Sequence, residues 1–182
     1  MTRTSTAITS TVEPAARRLH RASVASPIGE LTVVADHDAI VAIHFEGEPG
    51  HADAAPVADD VALADHPVLH AAVEQLGEYF RGERTEFDLP LDPTGTPFQR
   101  DAWSALRAIP FGTTMSYGEQ AAVMGDRRKA RAVGAANGRN PIPIVVPCHR
   151  VVGSNGHLTG FAGGIEAKAW LLDHELRVRA TG

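Results

Sequence analysis

The chain has 182 residues, 43% of them apolar and 21% charged, the balance of an ordinary globular protein that can bury one sizeable core or two small ones. No apolar run approaches the ~20 residues needed to cross a bilayer, and the start lacks the apolar stretch of a secretory signal, so a soluble, cytoplasmic protein with no membrane partner is expected. The net charge of −5 argues against nucleic acid as a whole-molecule partner, but residues 126–150 carry Arg127, Arg128, Lys129, Arg131, Arg139 and Arg150 against the single acid Asp126, a local excess of cations on an otherwise acidic chain.

Seven of the first eleven residues are Ser or Thr and large apolar groups are few, so residues 1–16 are expected to form a flexible tail. A transit peptide is the weaker alternative, opposed by Glu13 and by the missing amphipathic pattern. From His20 to Phe45, short runs of β-branched and apolar residues alternate with Ser26-Pro27-Ile28-Gly29 and Asp36-His37-Asp38, which predicts a three-stranded antiparallel meander. Residues 46–64, rich in Ala, Asp, Gly and Pro, read as a long loop. Val68, Ala71, Ala72, Gln75, Leu76, Tyr79 and Phe80 then follow helical spacing up to a stop at Gly82, and this helix should cover one face of the sheet.

Leu91-Asp92-Pro93-Thr94-Gly95 marks the expected boundary between a small N-terminal domain, residues 17–92, and a mainly helical domain, residues 93–182. Thr96, Pro97 and Gln99 form a capping box opening a helix whose inner face carries Phe98, Ala102, Ala105, Leu106 and Ile109. Ser116 and Glu119 form a second box for a short helix through Met124. Gly125 then turns the chain into a third helix bearing Arg127 to Ala136. A helix, a Gly-containing turn and a basic helix in this order fit a helix-turn-helix, although packed helices with solvated arginines have the same pattern.

Chemistry concentrates in Ile144-Val145-Val146-Pro147-Cys148-His149-Arg150-Val151-Val152, read as a buried strand interrupted at Pro147. Cys148 is the only cysteine, so neither a disulfide nor a thiolate metal cage is available and the thiol is either core filler or a nucleophile. His149 and Arg150 beside it would favour the thiolate. Successive residues on a strand face opposite ways, however, so His149 would reach Cys148 only through a bend or a bridging water. His20, His37, His44, His51, His66 and His70 show no ligand spacing, and no metal or other cofactor is expected.

Pro147-Cys148-His149-Arg150-Val151, preceded by Asn140-Pro141-Ile142-Pro143 and Ala130-Arg131-Ala132-Val133-Gly134 and followed by Gly163-Gly164 and Lys168-x-Trp170-Leu171-Leu172-x-x-Glu175, resembles the O6-alkylguanine-DNA alkyltransferase family. The likeness is dense from Pro97 to Glu175, and Ser26-Pro27-Ile28-Gly29 with the meander is similar to the family's N-terminal domain. The resemblance implies an α/β (α+β) fold, with a ribonuclease-H-like sheet-and-helix domain followed by a winged-helix-like domain containing the helix-turn-helix.

It also implies direct-reversal DNA repair. O6-alkylguanine, and O4-alkylthymine, would be flipped out of double-stranded DNA bound through the minor groove, and the alkyl group would pass once and irreversibly to Cys148. His149 would deprotonate Cys148 through a water and Glu175 would orient His149. Tyr117 would protonate guanine N3, Arg131 would fill the space of the flipped nucleotide, and Asn140 would act as a hinge. Ala132 and Ala135 would approach the groove, and Val151, Phe161, Ala162, Gly163 and Lys168 would contact DNA or the base. Phe161 and Ala162 stand where tyrosine and serine are frequent, which leaves the alkyl preference open. No protein partner is required, and cooperative self-association on DNA is left open. The alternatives are a damage-binding helix-turn-helix protein without chemistry and a cysteine hydrolase using Cys148 and His149.

Overall fold

The structure, a computed structural model, describes residues 17–47, 58–60 and 63–182, with the backbone alone for residues 58–60. The expected tail, residues 1–16, and much of the expected loop lie outside these residues, as does His51.

The meander is present as β1 (Leu19–Ser26), β2 (Gly29–Ala35) and β3 (Ile40–Phe45), paired antiparallel with Val24 opposite Leu31 and Val33 opposite Ile43. The expected loop is interrupted by β4 (Ala58–Asp60), which pairs parallel to β1 and gives the strand order β3-β2-β1-β4. Its sequence, Ala-Asp-Asp, has no strand propensity, so its pairing comes from the neighbouring edge and could not be read locally. The β3 edge is taken up by the chain that follows: Ile40 exchanges hydrogen bonds with Pro90 and Asp92, and the Ile43 amide donates to Pro141 at 2.8 Å.

Helix α1 (Pro67–Arg81) lies against this sheet with Leu69, Ala72, Leu76 and Tyr79 buried, and ends at Gly82 with φ 76°, a left-handed cap that glycine adopts without a Cβ clash. Helix α2 (Pro97–Arg107) begins with the expected capping box of Thr96 and Gln99. Its buried face is Ala102, Trp103 and Leu106, whereas Phe98 is half-buried. Trp103 lies outside the spacing of the expected inner face, and its indole donates to the Ala136 carbonyl at 2.9 Å.

Helix α3 (Tyr117–Val123) carries the second capping box, Ser116 with Glu119. The third helix starts later than expected. Residues Arg127–Lys129 form a 3-10 turn capped by Asp126, and α4 spans Ala130–Asn137. A buried amide pair fixes α3 on α4: Gln120 Nε2 donates to Asn137 Oδ1 at 3.2 Å and Asn137 Nδ2 to Gln120 Oε1 at 2.7 Å. Helix α5 (Gly164–Thr181) closes the fold and buries Ala167, Lys168, Leu171, His174 and Glu175, a single face at helical spacing. One apolar cluster runs from Val24 and Leu31 through Tyr79, Trp103 and Ile144 to Leu171, so sheet and helices share a core. No helix among the described residues is long and apolar enough to cross a membrane.

Candidate active site

The buried strand expected around Cys148 is not what forms. Ile144 has φ 74°, rare for a β-branched residue, and Cys148–Arg150 make a 3-10 turn before the two-residue strand β6 (Val151–Val152), which pairs parallel with β5 (Met115–Ser116). Pro147 supplies no ladder donor and stands at the N-cap of that turn. The turn also replaces strand alternation as the rule that decides where Cys148 and His149 point.

Asn140 holds the thiol. Its Nδ2 donates to Cys148 Sγ at 3.2 Å and to the Val146 carbonyl at 2.7 Å, while its Oδ1 accepts the Ile142 amide at 3.1 Å. Cys148 is 8% exposed. Burial raises its pKa, and the Asn140 hydrogen bond and the Lys168 charge oppose the rise only in part, so the group rests as a thiol near neutrality.

His149 is fully buried, and its Nε2 lies 2.8 Å from Glu175 Oε1. Burial lowers the imidazole pKa, and the Glu175 hydrogen bond and charge restore only part of the loss. Burial would likewise raise the Glu175 carboxyl, but the hydrogen bonds and charges of His149 and Arg150 hold it at about 2. A carboxylate accepts only, so the proton sits on His149 Nε2 and the lone pair on Nδ1, an atom with no hydrogen-bond partner.

Arg150 corrects the expectation placed on it. Rather than supporting the thiolate or joining the basic face, it is 6% exposed and grips Glu175 with Nε and Nη2, each at 2.9 Å, while Nη1 donates to the Ile109 carbonyl at 2.7 Å. Glu175 also receives the Gly112 amide at 2.8 Å and the Tyr79 hydroxyl at 2.9 Å. Gly112 has φ 67°, and a Cβ there would meet the Glu175 carbonyl at 3.1 Å. The Arg150 contact lies 25 residues away in sequence and the Tyr79 contact 96, beyond the reach of any local signal.

Lys168, expected at the DNA or base, is fully buried instead. Its Nζ donates to the carbonyls of Val151 at 2.7 Å and Thr159 at 2.8 Å and lies 5.9 Å from the centre of the Tyr117 ring. It therefore ties the β6 turn to the following loop and supplies the positive charge near Cys148 that was assigned to Arg150. Val151 is buried too and participates through its carbonyl. Phe161 packs edge-on between Phe45 at 5.3 Å and His149 at 6.3 Å. Ala162 is exposed, and Gly163 sits where a Cβ would be 2.7 Å from the Phe45 ring.

The DNA-facing residues expected on α4 are exposed: Arg131, Ala132 and Ala135 lie on its outer side, with Arg127, Arg128, Lys129 and Arg139 also exposed nearby. Arg128 is occupied by Asp126 at 3.0 Å. An open groove of about 680 Å³ is lined by Tyr117, Arg131, Gly134, Ser154, Thr159 and Gly160, among others. Its volume lies within the usual range of small-molecule sites. Cys148 does not line this groove, whereas Tyr117 does, its hydroxyl accepting from Thr159 Oγ1 at 3.2 Å. Among the described residues, no group of three or more His, Cys, Asp or Glu could hold a metal ion.

Comparison with known proteins gives the relatives of the chain. Residues 19–93 match the ribonuclease-like domain of 6-O-methylguanine DNA methyltransferase, and residues 97–177 match its DNA-binding domain. The methylated-DNA–protein-cysteine methyltransferase of Mycolicibacterium paratuberculosis is 60% identical over 106 residues, 58% of this chain and 64% of that protein. The constitutive methylated-DNA–protein-cysteine methyltransferase of Bacillus subtilis is 45% identical over 151 residues, 82% of this chain and 91% of that protein. The crystal structure of Mycobacterium tuberculosis OGT in complex with DNA aligns with TM-score 0.79 at 43% identity, over 87% of this chain and 94% of that chain.

Proposed function

The chain belongs to the 6-O-methylguanine DNA methyltransferase family, and from that premise we propose that it repairs DNA by moving the alkyl group of O6-alkylguanine onto Cys148. The observation that carries the reading is the buried relay: a thiol held by Asn140, a neutral imidazole with a free Nδ1, and a carboxylate that fixes the opposite nitrogen. His149 Nδ1 takes the Cys148 proton through one water. The thiolate Sγ then attacks the alkyl carbon, the carbon–O6 bond breaks, and its electron pair stays with the guanine. Tyr117 delivers a proton to N3 as that charge develops. The thioether on Cys148 has no leaving group for water to displace, so each chain reacts once. A hydrolase would need an acyl intermediate instead.

Arg131 and the bare Ala132 and Ala135 surface of α4 support binding from the minor groove, where small side chains permit close approach and an inserted arginine replaces a flipped nucleotide. The same reading divides the chain into a ribonuclease-like half, residues 17–92, and a DNA-binding half, residues 93–182, and places the protein in the cytoplasm. It extends to O4-alkylthymine, whose alkyl group sits on a comparable exocyclic oxygen. The reading calls for no protein partner in the transfer step. Clustering along DNA is read from the dependence of affinity on duplex length.

Incubation with a duplex containing O6-methylguanine tests the proposal. One methyl group should appear per chain, on the peptide containing Cys148, and Cys148→Ala should take up none while binding the duplex within a few-fold of wild type. Methylation of the Ala variant, or repeated turnover, would overturn it.

A further inference from the structure

Tyr79, in the last turn of α1, has no part in the chemistry described above, yet it reaches the relay from the ribonuclease-like half. It is fully buried, and its hydroxyl donates at 2.9 Å to Glu175 Oε1, the same oxygen that meets His149 Nε2 at 2.8 Å and Arg150 Nη2 at 2.9 Å. Both ends of the residue are tied to α5, because the Tyr79 carbonyl accepts from His174 Nε2 at 2.7 Å. The ring is enclosed by Phe80, Phe87, Phe111 and His174, at centroid distances of 5.4, 5.4, 6.1 and 5.4 Å. Burial and then the Glu175 charge hold the phenol pKa well above its ordinary value, so the group stays a donor throughout the working pH range.

We infer that Tyr79 is a positioning residue for alkyl transfer, setting the basicity of His149 through Glu175. The inference rests on the role proposed above for His149. A carboxylate that shares its charge among several donors is a weaker acceptor for each of them. With the phenol hydroxyl removed, more of the charge on Oε1 falls on the His149 Nε2 proton and imidazolium is stabilised. Imidazolium cannot take the Cys148 proton. The other charged groups acting on His149 are Arg150 and Lys168, which both disfavour its protonated form and are untouched by the change.

The test is Tyr79→Phe, which keeps the ring and its aromatic contacts. Single-turnover transfer from an O6-methylguanine duplex is measured against pH for wild type and variant, normalised to the active fraction. In parallel, the His149 imidazole is titrated by NMR in the unreacted proteins. The acidic limb of the rate profile should move to higher pH by about half a unit, making transfer about threefold slower on that limb. The rate above the limb and the duplex affinity should be unchanged. The His149 midpoint should move by the same amount. A packing role alone would lower the melting temperature and leave both midpoints in place, and that result would overturn the inference. If wild type itself fails to alkylate Cys148, the functional reading fails. If wild type transfers and the two limbs coincide, only the role of Tyr79 is lost.

Discussion

Nε2 of His149 lies 2.8 Å from Oε1 of Glu175 with both side chains fully buried, and this pairing gives the two ring nitrogens different tasks. Nε2 keeps its proton against the carboxylate, and Nδ1 is left as the base. Glu175→Gln should break that assignment, because an amide can also donate to Nε2 and favour the other tautomer. Transfer should slow by about 10²–10⁴-fold, the span between losing a general base and losing the group that orients it. The same change strips Arg150 of its buried counter-charge, a loss typically worth about 3–5 kcal/mol. At about 2–4 °C per kcal/mol for a chain of this length, the melting temperature should fall by about 6–20 °C. Single-turnover kinetics with calorimetry would check both, and near-normal transfer by the Gln variant would remove Glu175 from the relay.

Acid should weaken the fold in two stages. His149 and His66 have folded pKa values lowered from 6.5, chiefly by burial, so below about pH 6.5 the unfolded chain takes up protons that the folded chain refuses. Glu175 has its carboxyl lowered from 4.5 to about 2, so its contribution is fully present above 4.5 and is lost as the pH falls towards 2. Both effects have the same sign. Urea unfolding at pH 7, 5.5 and 4 should give decreasing stability, with a further loss below 4.5 that is smaller in Glu175→Gln, where the lowered carboxyls of Asp36, Glu119 and Asp126 remain. A stability that stays flat from pH 7 to 4 would contradict the burial of neutral His149.

Arg131 is exposed on α4 and lines the groove that contains Tyr117, to which Cys148, His149 and Glu175 contribute no lining. Arg131→Ala should therefore slow repair of an alkylated duplex, where a flipped nucleotide must be replaced, and leave the reaction with free O6-benzylguanine near wild type. Parallel rate measurements on the two substrates separate these steps. Equal losses on both would assign Arg131 to the fold or to the chemistry.

What the sequence disclosed follows from the range of each interaction. The capping boxes at Thr96 with Gln99 and Ser116 with Glu119 are three-residue spacings, and both form where expected. Gly82 ends α1 for an equally local reason. The apolar run at Ile144–Val146 suggested a strand because its composition is that of one. It is instead folded over by Ile144 in a left-handed conformation and by the clamp from Asn140, which composition does not encode. Arg150, two residues from Cys148 in sequence, is expected with His149 to favour the thiolate. Its partner Glu175 is brought to it by α5, while Lys168, two turns earlier on that helix, takes the position near the sulfur. Charge could be counted from the sequence, but the acid or thiol that each cation meets is a property of the packing.

The last prediction concerns the protein after reaction. Cys148 is 8% exposed, and its sulfur accepts from Asn140 Nδ2 at 3.2 Å, the same nitrogen that holds the Val146 carbonyl at 2.7 Å. Between these contacts lies Ile144 at φ 74°, a conformation that costs about 1–3 kcal/mol and persists only where its surroundings enforce it. A methyl group added to the sulfur must push against this clamp, and overpacking of a dense site typically costs about 1–3 kcal/mol. Alkylation also removes the thiol proton, so Cys148 can no longer donate towards His149, and the added bulk displaces the sulfur from Asn140, so part of the hold on residues 140–148 is lost as the strain in it remains. The methylated protein should therefore melt several degrees below the unreacted one, since about 1 kcal/mol corresponds to about 2–4 °C at this length. A benzyl adduct should lower the midpoint at least as far. Asn140→Ala in the unreacted state should reproduce part of the methylated protein's loss and make the further drop on methylation smaller, because the contact that the methyl group disturbs is already gone. Thermal scans of the two unreacted and two methylated proteins form a double-mutant cycle, and strictly additive losses would show that Asn140 does not transmit the change at Cys148.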